Sequence, residues 1–141
     1  MADQPSASRR TVLRGAAVLP VAGLGLAACS VSGAGTTDAE PTAPVEVGAE
    51  SEVAEGGARL YLDHNVVVSK DAQGKYKAHS VICTHGQCPI NKLEGTKLIC
   101  PCHGSEFDAL TGKVLHSPAT EPLPELPVKV SGGKLIVGPG A

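Results

Sequence analysis

Apolar residues along this chain come in short runs, broken by glycine, proline and small polar residues. Val66-Val67-Val68 leads into Asp71-Ala72-Gln73-Gly74, a turn signal, after which Lys75 to Val81 forms a second extended run. Lys97-Leu98-Ile99 is a third. Leu126 to Val130 and Lys134 to Val137 flank Ser131-Gly132-Gly133, which predicts a hairpin. No segment sustains the 3.6-residue period of an amphipathic helix. The pattern predicts an all-β domain of short antiparallel strands over residues 53–141, with no internal repeat.

The N-terminal part follows a different pattern. Gly15 to Ala28 is a stretch of fourteen uncharged, small or apolar residues. It is too short to span a bilayer comfortably and contains Pro20, so it reads as the apolar region of an export signal. Ser8-Arg9-Arg10-Thr11-Val12-Leu13-Arg14 before it resembles a twin-arginine signal, and Leu26-Ala27-Ala28-Cys29 after it resembles a bacterial lipobox. This implies a leader over 1–28 and a lipidated Cys29. Residues 29–52 are rich in Ser, Gly, Ala, Thr, Pro and Glu and read as a flexible tether.

The candidate chemistry sits in two boxes. The first is Cys83-Thr84-His85-Gly86-Gln87-Cys88, the second Cys100-Pro101-Cys102-His103-Gly104-Ser105. Each offers one Cys and one His at short spacing, plus a further Cys. Two thiolates and two imidazoles suit a tetrahedral zinc ion. They equally suit a [2Fe–2S] cluster with two Cys on one iron and two His on the other. Two disulfides with surface histidines are the third possibility. Zinc ribbons usually space Cys from Cys and His from His, whereas here each box mixes the two.

The boxes resemble those of Rieske iron–sulfur proteins of the cytochrome bc type, and the resemblance covers roughly residues 45 to 138. It implies stacked antiparallel β-sheets with a small cluster-binding subdomain. It implies that Cys83 and Cys100 bind one iron of a [2Fe–2S] cluster and His85 and His103 the other, while Cys88 and Cys102 form a disulfide. Ser117-Pro118-Ala119-Thr120-Glu121-Pro122-Leu123 resembles the proline loop that covers the cluster, with Pro118 at its head. Ser105 matches a hydroxyl that hydrogen-bonds a bridging sulfide. Phe107 stands where the family places a tyrosine that bonds a ligand sulfur.

Histidine ligation keeps the oxidised cluster neutral and makes adding an electron easier than in a four-thiolate cluster. Rieske potentials accordingly run from about −150 to +300 mV. With Phe107 in place of tyrosine, the potential is expected below that of typical bc-type centres. Gly86 replaces a bulky residue that shields the cluster and helps dock a quinol-oxidation site. Glycine one place early also predicts a local shift of the loop. The resemblance thus implies one-electron transfer with redox protein partners, and the export signal and lipobox place it at the outer face of a bacterial membrane through Cys29. The alternative is a subunit of a cytochrome bc-type or arsenite-oxidase-like complex. A twin-arginine route agrees with this chemistry, because it carries cargo already folded around a cluster.

Charge adds little. Loss of Arg9, Arg10, Arg14 and Asp3 with the leader takes twelve basic residues to nine and fourteen acidic to thirteen, a net of −4. That argues against nucleic acid as a partner. His64, His79 and His116 lie outside the boxes and read as surface or packing residues. No arrangement of a catalytic acid, base or nucleophile is visible.

Overall fold

The computed structural model describes residues 39–141. The leader, Cys29 and the first part of the expected tether lie outside them. Among the described residues the regular structure is β apart from single 3-10 turns at Glu50–Glu52 and Leu62–His64. The strands are β1 (Val45–Ala49), β2 (Gly57–Tyr61), β3 (Val66–Lys70), β4 (Tyr76–Ser80), β5 (Lys92–Glu94), β6 (Lys97–Ile99), β7 (Glu106–Asp108), β8 (Val114–His116), β9 (Glu125–Leu126), β10 (Val128–Ser131) and β11 (Lys134–Val137).

They form three antiparallel sheets, ordered β1-β11-β10, β2-β3-β4-β9 and β5-β6-β7-β8. The all-β expectation holds. The hairpin at Gly132-Gly133 forms with Ser131 opposite Lys134. The turn between β3 and β4 is held by Asp71, whose Oδ1 accepts from the N–H groups of Gln73 at 3.0 Å and Lys75 at 2.8 Å.

Two expectations are corrected. The tether was expected to reach residue 52, but Val45–Ala49 is a strand of the domain, with Val45 opposite Val137 and Ala49 opposite Lys134. Its two valines are only half-buried, so the segment carries too weak an apolar signal to read as a strand by itself. Likewise Leu126 to Val130 is not one strand. Pro127, which has no N–H to give, divides it into β9 on the middle sheet and β10 on the first.

The middle sheet explains the Val66-Val67-Val68 run. Val66 and Val68 pack with Val53, Tyr61, Ala78, Leu126, Leu135 and Val137 in one core. Val67, pointing the other way, packs with Val81, Ile90, Leu98, Phe107 and Leu123 in a second core. A strand buried on both faces loses its alternation and becomes continuously apolar. The β5–β8 sheet and its loops share this second core, which includes Cys83 and Cys100.

Candidate metal centre

The two boxes fold into two loops of the same shape. In the first, an isolated bridge between Ile82 and Pro89 closes the base. The Cys83 N–H donates to the Cys88 carbonyl at 2.9 Å and the Gln87 N–H to the Cys83 carbonyl at 2.8 Å. In the second, between β6 and β7, the Cys100 N–H donates to the Ser105 carbonyl at 2.9 Å and the Gly104 N–H to the Cys100 carbonyl at 3.1 Å. In both, the residue four after the first cysteine is left-handed: Gln87 at φ 58° and Gly104 at φ 75°. The expected shift of the first loop is thus corrected. Gln87 adopts the conformation that Gly104 supplies in its partner, and Gly86 takes no positive φ.

Cys88 and Cys102 are joined by a disulfide that ties one loop to the other. Cys83 and Cys100 are free thiols, 1% and 2% exposed. Burial pushes the Cys100 thiol above its ordinary pKa, opposed by the backbone N–H groups of Cys102 and His103, which favour its thiolate. Its hydrogen-bond contact with the Cys83 thiol and that group's proximity raise it further. His85 and His103 are exposed, and their rings meet edge to face, 84° between planes and 4.8 Å between centroids.

The donors therefore form two pairs, a dry pair of sulfurs in the apolar core and a wet pair of imidazoles at the surface. Among the described residues, no three His, Cys, Asp or Glu side chains gather as ligands of one ion. Two paired donor types, with backbone N–H groups directed at a sulfur, fit a two-metal cluster with sulfur on the inner metal and nitrogen on the outer one.

The surroundings give each remaining residue a place. The Ser105 hydroxyl is fully buried and its oxygen accepts from the Ala119 N–H at 3.0 Å, which leaves its own proton to donate. Thr84 Oγ1 donates to the Glu121 carbonyl at 2.7 Å. Each box thus holds the 117–123 loop, in which Ala119 and Leu123 are buried and Pro118 is exposed. The Thr84 clamp went unseen in the sequence, because only the fold reveals that residue 121 is its neighbour. Phe107, opposite Leu98 across β6 and β7, lies in the same buried cluster as Cys83 and Cys100. At Gly86 an added Cβ would stand 3.7 Å from the His103 ring, so glycine leaves that ring face open.

His79 is a packing histidine, 2% exposed, with Nδ1 buried and unbonded. Its ring fills the space beside Gly112, where a Cβ would come within 2.7 Å of Cδ2. Burial is the main cause that lowers its pKa; Lys77 adds to that, and Glu125, Asp108 and the Ala109 backbone oppose it. His116 is exposed and His64 half-buried.

Residues 43–127 match the family described as the Rieske [2Fe-2S] domain. Over 86 residues, 55% of this chain, it is 41% identical to the cytochrome bc1 complex Rieske iron-sulfur subunit of Corynebacterium diphtheriae, of which the match covers 21%. It is 34% identical to the cytochrome b6-f complex iron-sulfur subunit of Chlorobaculum tepidum, over 64% of this chain and 51% of that one. The match thus spans between about a fifth and a half of these relatives. Among solved structures, the plasma membrane Rieske protein of the cyanobacterium Synechocystis PCC 6803 superposes with a TM-score of 0.52 at 34% identity, covering 67% of this chain and 99% of that one. A Sphingomonas yanoikuyae ferredoxin, at 22% identity and a TM-score of 0.51, shares the fold.

Proposed function

This chain belongs to the Rieske [2Fe–2S] domain family, and from that premise we propose that it is a one-electron carrier, exported and held at the outer face of a bacterial membrane by a lipidated Cys29. Cys83 and Cys100 would hold one iron of a [2Fe–2S] cluster and His85 and His103 the other. The observation that carries this reading is the pairing, on the same two loops, of two buried free thiols with two exposed imidazoles in contact with each other. The [2Fe–2S] group supplies a one-electron couple. The residues of the chain do the rest. The apolar core keeps water from Cys83 and Cys100, while the imidazoles of His85 and His103 meet the partner. The Ser105 proton, free to donate, favours added negative charge beside it.

Gly86 supports a carrier rather than a quinol-oxidising subunit, since no side chain there shields His103. The names of the bc1 and b6-f relatives support a second reading, a subunit of a larger redox complex. Among the described residues no helix is long and apolar enough to cross a membrane. Purified protein is expected to be coloured and to give an EPR signal on reduction, both lost in Cys83→Ser. A colourless, EPR-silent protein with bound zinc would overturn the reading. Recovery in a stoichiometric complex after mild solubilisation decides for the subunit.

A further inference from the structure

The 117–123 segment touches both metal-binding loops, through Ser105 and Thr84, but its root lies against β4. The Ser80 N–H donates to the Pro124 carbonyl at 2.9 Å, and His79 stands opposite Glu125 in the register of β4 and β9. The Leu123 N–H donates to the Gly112 carbonyl at 2.9 Å. Gly112 ends a tight turn after β7. Its own N–H meets the Asp108 carbonyl at 2.7 Å, while Asp108 Oδ1 and Oδ2 accept from the Leu110 N–H and the Thr111 hydroxyl, each at 2.9 Å. Closed in this way, the turn moves as a unit and carries Leu123 with it.

The His79 ring is wedged beneath that unit. His79 lies opposite Val67 of β3 and shares its face, so the side chain enters the second core, the one that includes Cys83 and Cys100. A Cβ at Gly112 would stand 2.7 Å from the ring Cδ2, 2.9 Å from Nε2 and 3.0 Å from the Leu123 carbonyl oxygen. Gly112, at φ 71°, is thus enclosed between ring and segment, and a side chain there meets both strain and contact. The ring holds this place although its Nδ1 is buried without a partner. A buried polar atom left unpaired costs stability, so what the imidazole contributes here is its shape.

We propose that His79 is a positioning residue for the metal centre: its ring, packed on Gly112, sets how closely the 117–123 segment lies against the two metal-binding loops. The proposal rests on the [2Fe–2S] reading of those loops. With the ring removed, the 108–112 turn and Leu123 settle into the vacated space. The shift passes along the segment to Glu121 and Ala119, which meet Thr84 and Ser105. Both clamps then loosen, and water reaches Cys83 and Cys100.

The test compares the cluster-loaded full chain with His79→Ala, Gly112→Ala, the double variant and Val137→Ala. Val137 is fully buried in the other core, so its variant reads lost stability alone. Transfer of iron to a chelator is expected to run at least tenfold faster in His79→Ala than in Val137→Ala. At a fixed electrode potential, the ratio of reduced to oxidised centre should rise at least twofold in His79→Ala, because admitted water favours the more negative reduced form. In Val137→Ala it should keep its parental value. The double variant should release iron no faster than Gly112→Ala alone, since the new Cβ enters the space the ring has left. Equal effects in His79→Ala and Val137→Ala overturn the proposal, as does a double-variant rate that multiplies the two single effects. If His79→Ala does not load with iron, His79→Val, better suited to a strand, gives the same readings. Amide exchange at Ala119 and Leu123 reads the hold on the segment whatever metal fills the loops. It should be at least tenfold faster without the ring, and parental exchange overturns the proposal. Visible absorbance and EPR of the parent test the cluster reading separately.

Discussion

The two metal loops share one backbone shape and reach it with different residues. The second loop places glycine at its left-handed position, and its clamp on the 117–123 segment is buried, through Ser105 and Ala119. The first loop places Gln87 there, and its clamp is exposed, through Thr84 and Glu121. Each carries one free, buried thiol and one exposed imidazole. The difference teaches that donor placement is set by hydrogen-bonded loop geometry, while the character of each loop is set by residues that donate nothing. The second loop is the one built around buried polar contacts; the first is the one open to a visitor, with Gly86 leaving the His103 ring bare.

The sharpest break in this comparison comes from the cysteines. Cys100→Ser is expected to abolish iron binding altogether, as Cys83→Ser does, measured by iron content and visible absorbance. Cys88→Ser and Cys102→Ser remove only the tie between the loops. With a sequence separation of 14 between the joined positions, a loss of about 3 kcal/mol is expected, read by denaturant unfolding. If either bridge variant lost the cluster as completely as Cys100→Ser, the separation of ligand and tie would fail.

Smaller effects separate the loops themselves. Gly104→Ala meets no atom within 4 Å, so its cost is conformational alone, about 1 kcal/mol. Gln87→Gly should move the other way, gaining less than about 1 kcal/mol by relieving a left-handed glutamine. Equal and opposite shifts would confirm one shape in two sequences; a loss in Gln87→Gly would show that the glutamine side chain contributes something of its own. Phe107→Tyr is expected to raise the midpoint potential by adding a donor near the sulfur pair, and an unchanged potential in protein-film voltammetry would refute it.

The last prediction concerns the contact below the loops. The folded-state pKa of His79 is lowered by burial, so the unfolded chain binds its proton first as pH falls. The stability it contributes is present above the ordinary histidine value near 6.5 and is lost as pH drops below it. Unfolding midpoints measured between pH 8 and 5 should fall less in His79→Gln than in the parent. An identical slope would remove His79 from the account.

Cys83, His85, Cys100 and His103 stood out as candidate donors because a thiol or an imidazole is visible without its neighbours, whereas the Cys88–Cys102 pairing was legible only through the resemblance to Rieske proteins. The strands were readable where burial made them continuously apolar, as in Val66-Val67-Val68. What stayed hidden depends on who sits opposite. Val45–Ala49 becomes a strand only because β11 offers it an edge, and Thr84 becomes a clamp only because Glu121 returns to it. His79 and Gly112 are thirty-three residues apart and fit each other only across two sheets. Gln87 concealed its conformation because glycine is the usual sign of it and stood one place earlier.

Val67 and its two neighbours also determine how the molecule comes apart. A wall shared by two rooms cannot be taken down from one side. Because the same strand closes both cores, the base cannot stay folded while the metal side melts without exposing Val67. Whatever binds at the two loops therefore protects the middle sheet as well by mass action. Amides of β3, which carries no candidate donor, should exchange with solvent more slowly when the centre is filled than when it is empty.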